Sequence, residues 1–222
     1  MDEPVTATAG VDQPSAERLA DALRDAADPQ WLGQARSRVA ADPASLPVLF
    51  ATAGRRCGRG ELVAVPGWHA DEAARTLLLV TVAETGSTAE LVAAATDCYQ
   101  QGDGAERRAV LKALPLLPVG EQAVPLLHDA IRTNDTRLLA AALGPYARHL
   151  AQPMWRQAVL KCVFTGVPLT VVHDLDARAD AELGVMLAGL YTERTAAGRT
   201  LPDDALALLA RLSPSTTTRQ EG

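Results

Sequence analysis

WRQAVLKCVFTGVPL, residues 155–169, sets a single ammonium, Lys161, among side chains that otherwise leave water. The chain holds two lysines among 21 basic residues, and the other, Lys112, closes the same tetrapeptide, Ala-Val-Leu-Lys. The match widens to Arg-Arg-Ala-Val-Leu-Lys at 107–112 against Arg-Gln-Ala-Val-Leu-Lys at 156–161, each followed by an apolar tail that ends in proline. At about 100° per residue, Trp155, Ala158, Val159, Cys162 and Val163 share one helical stripe, which Leu160 and Phe164 widen. Met154, Gln157 and Lys161 occupy the remaining side, so little polar circumference is left for water. Either Lys161 lays its stem over apolar surface with its charge at a rim, or it faces a groove and meets an anionic group, because an unpaired buried ammonium is costly.

Outward from this block the punctuation is helical. Ser15 caps an amphipathic segment, with Leu19, Ala22, Leu23 and Ala26 on one stripe. Asp28-Pro29 and Asp42-Pro43 each offer a cap followed by proline at the first helical position. Ser87 with Glu90, and Asp103 with Glu106, read as capping boxes. Further helices are expected at about 71–84, 88–101, 104–117, 121–132, 135–148, 154–165, 179–197 and 203–212, and no strand is expected. Short connections between helices of about 12 residues suit stacked hairpins, as in a short HEAT- or armadillo-like α-solenoid. A non-repetitive helical bundle is the alternative. Either way the fold class is all-α.

The 222-residue chain can bury a proper core without disulfides. Its net charge of −6 argues against a nucleic-acid partner, although residues 103–170 alone carry eight basic against five acidic side chains. Cys57, Cys98 and Cys162 stand far apart, outside any CxxC pairing, which suits a reducing cytoplasm. The start MDEPVTATAG lacks the basic and apolar regions of a signal peptide, and no apolar run reaches the 18 or so residues of a membrane span. A cytoplasmic protein without membrane insertion is expected. The layout reads as a disordered tail at 1–14, helices at 15–56, a glycine-rich loop at 57–69, the main helical domain at 70–212 and a second tail at 213–222.

No hydrolase elbow, phosphate loop, dinucleotide fingerprint or zinc-protease motif occurs, and neither a cofactor nor a metal is expected. His173-Asp174-Leu175-Asp176 reads as a solvated helix start, and Cys162 as a buried, inert thiol. Trp68-His69 beside Asp71 and Glu72 either lines a mouth formed by the glycine-rich loop or anchors that loop. The edge from Arg132 through Asn134 to Asp135 and Arg137 either is a capped turn with solvated arginines or brings guanidinium forks to a helix start, a combination suited to a carboxylate or phosphate. Gly144-Pro145-Tyr146 breaks or kinks the following helix, and a kink there re-aims Tyr146 and His149. The candidate binding residues are therefore Arg132, Asn134, Asp135, Arg137, Tyr146, His149, Trp155 and Lys161.

Taken with Arg132-Thr133-Asn134, Gly144-Pro145-Tyr146 and GLYTERTAAGR at 189–199, the opening block resembles the EboA family over roughly residues 70–205. The family pattern has Asn-Pro-Tyr where this chain has Gly144-Pro145-Tyr146. The resemblance implies a small helical protein of ebo gene clusters, working beside a prenyltransferase and a sugar-phosphate-cyclase-like protein in making or moving a secondary metabolite. It carries no catalytic residues. The leading expectation is a non-catalytic accessory protein that binds a small anionic or prenylated metabolite, or partner proteins of the cluster, on helices 104–165. Its rivals are an enzyme of that pathway using Lys161, Tyr146 or His149 as acid or base, and an assembly scaffold. On the groove reading, Lys161→Met weakens ligand binding without unfolding the protein, as calorimetry would register.

Overall fold

The computed structural model describes residues 13–24 and 28–213. The tails expected at 1–14 and 213–222 lie outside the described residues except for Gln13, Pro14 and Ser213. Among the described residues the regular elements are helices, and the one β feature is an isolated antiparallel bridge between Glu61 and His69. The α-helices in chain order are α1 (Ala16–Leu23), α2 (Pro29–Ala41), α3 (Leu46–Arg56), α4 (Ala70–Thr85), α5 (Thr88–Gln101) and α6 (Gly104–Ala113). They continue with α7 (Val124–Arg132), α8 (Thr136–Ala142), α9 (Gln152–Thr165), α10 (Leu175–Arg178), α11 (Ala181–Ala196) and α12 (Asp203–Leu212).

The helix starts follow the side chains that satisfy orphan N–H groups. Ser15 accepts from the Arg18 N–H, and Asp28 from the Trp31 N–H. Ser87 with Glu90 and Asp103 with Glu106 close reciprocal capping boxes at α5 and α6. Asp135 caps α8 through the Arg137 N–H, and Asp180 caps α11 through the Leu183 N–H. At the other end of α9, Gly166 takes φ +75°, the left-handed conformation that glycine adopts without strain.

Three expected boundaries move, each because of proline or glycine. The helix expected at 104–117 ends at Ala113 and tightens into a 3-10 turn over Leu114–Leu116, since Pro115 has no N–H to continue the ladder. The helix expected at 121–132 begins at Val124, after a turn in which Gly120 takes φ +54°. The helix expected at 135–148 stops at Ala142, and Pro145–His149 forms a separate 3-10 turn, so Gly144-Pro145 breaks the element outright.

α4 organises the molecule. Twelve of its sixteen residues are buried, so it presents no water-facing stripe and must lie at the centre. It packs against α1, α2, α3, α5 and α6. Beyond α6 the packing runs serially, α6 on α8, α7 on α8, α8 on α9, α9 on α11 and α11 on α12, an order compatible with stacked hairpins. One apolar cluster runs from Ala35 to Leu208 through Leu78, Leu111, Leu139 and Trp155. A second holds α1 and the glycine-rich loop through Leu19, Leu62, Val65, Trp68 and Leu77. The turn between α5 and α6 is tight enough that a Cβ on Gly102 would lie 2.5 Å from the Cys98 carbonyl oxygen.

Leu78 is fully buried on α4, so Leu78→Ala is expected to lower the unfolding free energy by about 2–5 kcal/mol in urea titration. Val185→Ala, at an exposed position on α11, is expected to change it by less than about 0.5 kcal/mol.

Candidate functional site

The first turns of α4 carry Asp71, Glu72, Arg75 and Thr76, all buried. Buried charges are tolerated only when paired and hydrogen-bonded, and each of these three charged groups is. The Arg75 guanidinium meets the Asp71 carboxylate one helical turn away, donates from Nε to the Phe50 carbonyl at 3.0 Å, and places Nη2 3.6 Å from Glu106 Oε1. It also lies over the Phe50 ring, 5.5 Å from its centroid. One arginine thus ties α3, α4 and α6 together.

Glu72 collects a second set of partners. Its Oε2 accepts from the His69 backbone N–H at 3.0 Å and from the Lys112 ammonium, while Oε1 takes Arg108 Nε at 3.1 Å. Burial pushes the Glu72 carboxyl up, but Lys112 and Arg108 outweigh it and hold the group below its ordinary value of 4.5. Lys112 also donates to the Gly67 carbonyl at 2.7 Å and sits 4.2 Å above the Trp68 ring. The glycine-rich loop is therefore pinned by a lysine from α6, with Trp68 buried beneath it.

A cleft of about 180 Å³ opens against this network. Its walls include Arg59 of the loop, His69, Asp71 and Glu72 of the α4 start, Gly104 and Arg108 of α6, and Arg137 of α8. Arg59 and Arg137 are largely exposed, whereas Arg108 is mostly covered. The first N–H groups of α6, at Gly104 and Ala105, have no partner within the helix. Three guanidinium groups and a helix start surround a space large enough for one small anionic group, a donor set that favours carboxylate or phosphate.

The structure distributes the sequence-derived candidates over five places. Asp135 and Arg137 pair at 2.7 Å beside Gly104, and Arg137 lines the cleft. Arg132 and Asn134 are exposed at the turn between α7 and α8, and Arg132 Nε donates to the His128 carbonyl. The Lys161 ammonium donates to the Ile131 and Thr133 carbonyls, each at 2.6 Å, so it closes the C-terminal end of α7. Tyr146 is buried, its hydroxyl donating to the Gly120 carbonyl at 2.6 Å and accepting from the Ala123 N–H, and its ring lies 4.8 Å from that of His149. Trp155 is fully buried, with the Arg178 guanidinium 4.7 Å above its ring.

The glycine-rich loop, Arg59, His69, Glu72 and Arg108 escaped the sequence-derived set. Trp68-His69 beside Asp71 and Glu72 was the available signal. Arg108, in the repeated Arg-Arg-Ala-Val-Leu-Lys stretch, carried no mark of its own. Among the described residues no three His, Cys, Asp or Glu side chains are grouped to hold a metal ion, and no helix is long and apolar enough to cross a membrane. Burial pushes the Cys98 and Cys162 thiols up to about 12 and Cys57 to about 11, which leaves all three poor nucleophiles.

The fold and cleft define a class: an all-helical protein whose buried ion pairs fix a basic-rimmed recess at the meeting point of a loop and three helices. The family described as metabolite traffic protein EboA matches residues 61–209, and the chain belongs to that family. The match begins within the glycine-rich loop and so includes the recess at His69, Glu72, Arg108 and Arg137. No curated protein and no solved structure matches the chain.

Three expectations follow. Glu72→Gln leaves Lys112 and Arg108 without their carboxylate and is expected to cost about 3–5 kcal/mol, while Glu72→Gln with Lys112→Met recovers part of that loss. Because the folded state holds the Glu72 carboxyl below 4.5, the unfolded chain binds more protons in that range. The wild type therefore loses this stability as pH falls below about 4.5, and Glu72→Gln shows a shallower acid limb in thermal melts. Lys161→Met, which removes two charged hydrogen bonds from the end of α7, is expected to lower unfolding free energy by about 1–3 kcal/mol in the same urea titration.

Proposed function

We propose that this member of the metabolite-traffic family binds a small anionic metabolite without transforming it, and that the anionic group enters the recess between Arg59, Arg108 and Arg137. The observation that carries the reading is the convergence of three guanidinium groups, from a loop and two helices distant in sequence, on a recess beside the first turn of α6. Arg108 supplies the fixed part, since Glu72 orients its fork. Arg59 supplies the adjustable part, being exposed and 3.9 Å from the exposed Asp103, and Arg137 is exposed but forked onto the mostly covered Asp135, at 3.1 and 2.7 Å. The single contact between exposed Arg59 and Asp103 is worth little, so exchanging that carboxylate for a ligand's anionic group is cheap, whereas Arg137 is held in place by its two-bonded fork on Asp135. The remainder of the metabolite, prenylated or otherwise, would extend from the recess toward solvent.

The engagement of Lys161 and Tyr146 with backbone partners supports binding over acid–base chemistry at those residues. Membership of the family supports a place in ebo-type secondary metabolism, alongside the cluster's other proteins.

Calorimetric titration of inorganic pyrophosphate into the full chain at low ionic strength tests the reading. Saturable binding is expected, weakened by added salt as partly exposed charges are screened. Arg59→Gln combined with Arg137→Gln is expected to weaken it about tenfold or more with an unchanged melting temperature, a loss of about 1.4 kcal/mol. Binding unaffected by that pair of substitutions refutes the assignment, and hydrolysis of the probe refutes the non-catalytic part.

A further inference from the structure

The structure assigns a second recognition site, for a small zwitterion carrying both an ammonium and a carboxylate, to the cleft between α5, α6 and α7. This cleft has a volume of about 420 Å³, within the range of about 300–1,000 Å³ usual for small-molecule pockets. Its floor is partly apolar, from Leu126, Pro125 and the Tyr99 ring, and its polar groups are Gln100, Arg107, Gln122 and Asp129.

Charge is divided across it. Asp129, on α7, accepts the Tyr99 hydroxyl at 2.9 Å through one oxygen. Burial, and then the bond to Asp129, push the Tyr99 phenol up, so it remains the donor and the carboxylate the acceptor. Arg107, on α6, is fixed differently. It donates from Nε to the Gly102 carbonyl at 3.0 Å and from Nη2 to the Gln100 carbonyl at 3.3 Å, while its guanidinium lies 5.5 Å from the centre of the Tyr99 ring. Its Nη1 makes no hydrogen bond among the described residues, and neither does Asp129 Oδ1.

An acid and a base thus share one cleft, each held by neutral partners and neither paired with the other. The buried charges of α4, by contrast, find opposite charges, Asp71 with Arg75 and Glu72 with Lys112 and Arg108, whereas Asp129 is exposed and Arg107 half-buried at the wall of the cleft. A purely anionic guest would meet the repulsion of Asp129, and a purely cationic guest that of Arg107. A guest with both charges satisfies the two walls at once, and its carbon skeleton can lie on Leu126 and Pro125. The Gln100 and Gln122 amides, each a donor and an acceptor, suit either end.

Saturation-transfer NMR on the full chain, with L-leucine and 4-aminobutyrate as probes, tests the assignment. The single-charge analogues are 4-methylpentanoate and 3-methylbutylamine, and myo-inositol serves as an uncharged hydroxylated control. At least one zwitterion is expected to give signal, with each single-charge analogue about tenfold weaker or more. Asp129→Asn keeps an acceptor for the Tyr99 hydroxyl and so keeps the fold, and is expected to abolish the preference for the zwitterion. Arg107→Gln is expected to do the same from the other wall. Absence of signal from both zwitterions, equal binding of a single-charge analogue, binding of myo-inositol alone, or an unchanged preference in Asp129→Asn overturns the assignment. Because pyrophosphate and the zwitterions address different clefts, either result stands without the other.

Discussion

The buried charges at the start of α4 constrain everything around them. A helix enclosed on all sides is ordinarily apolar, yet α4 opens with Asp71, Glu72 and Arg75 before turning to Leu77, Leu78 and Leu79. Those charges are affordable only if their partners arrive from elsewhere in the chain, and they do: a carbonyl from α3, the His69 N–H, and Glu106, Arg108 and Lys112 from α6. Apolar contacts can slide by a residue at modest cost, whereas an ion pair that loses its partner indoors cannot. The network therefore sets register between elements that the apolar core alone would leave loosely specified.

The same network explains why the recess sits where it does. Arg108 is oriented by Glu72, and the loop that brings Arg59 is fastened by Lys112 through Gly67 and the Trp68 ring. α8 contributes Arg137 because α6 and α8 pack together, placing Asp135 and Arg137 beside Gly104. The guanidinium groups at the recess thus rest on a base of paired and hydrogen-bonded side chains, the kind of support that the proposed binding calls for.

Much of the fold was legible from capping residues and prolines, because these act within three or four residues of themselves. Ser87 with Glu90 and Asp103 with Glu106 start helices as their spacing dictates. Leu114 to Leu117 and Leu143 to His149 were less legible, since the apolar pattern continues through Pro115 and Pro145 while the backbone cannot. The site was less legible still. Arg137, a sequence-derived candidate through its neighbours Arg132 and Asp135, does line the recess, but Arg59, His69, Glu72 and Arg108 are joined only in three dimensions, and no local pattern distinguishes a solvated glutamate from one holding a lysine 40 residues away. Lys161 stands out in the sequence as the one ammonium in an apolar stretch. Its use, closing the end of α7 through two carbonyls, depends on a turn that the sequence of α9 does not contain.

Lys112 and Lys161, related by the tetrapeptide they share, each reach across to backbone carbonyls of a distant segment, Gly67 in one case and Ile131 with Thr133 in the other. They are the chain's entire complement of lysine. Both lysine amines are thus occupied as struts, and an acylating reagent must displace their carbonyl partners to reach either one. Lysine acylation of this protein accordingly reports local opening of its framework, a built-in gauge that proteins with lysine-covered surfaces lack.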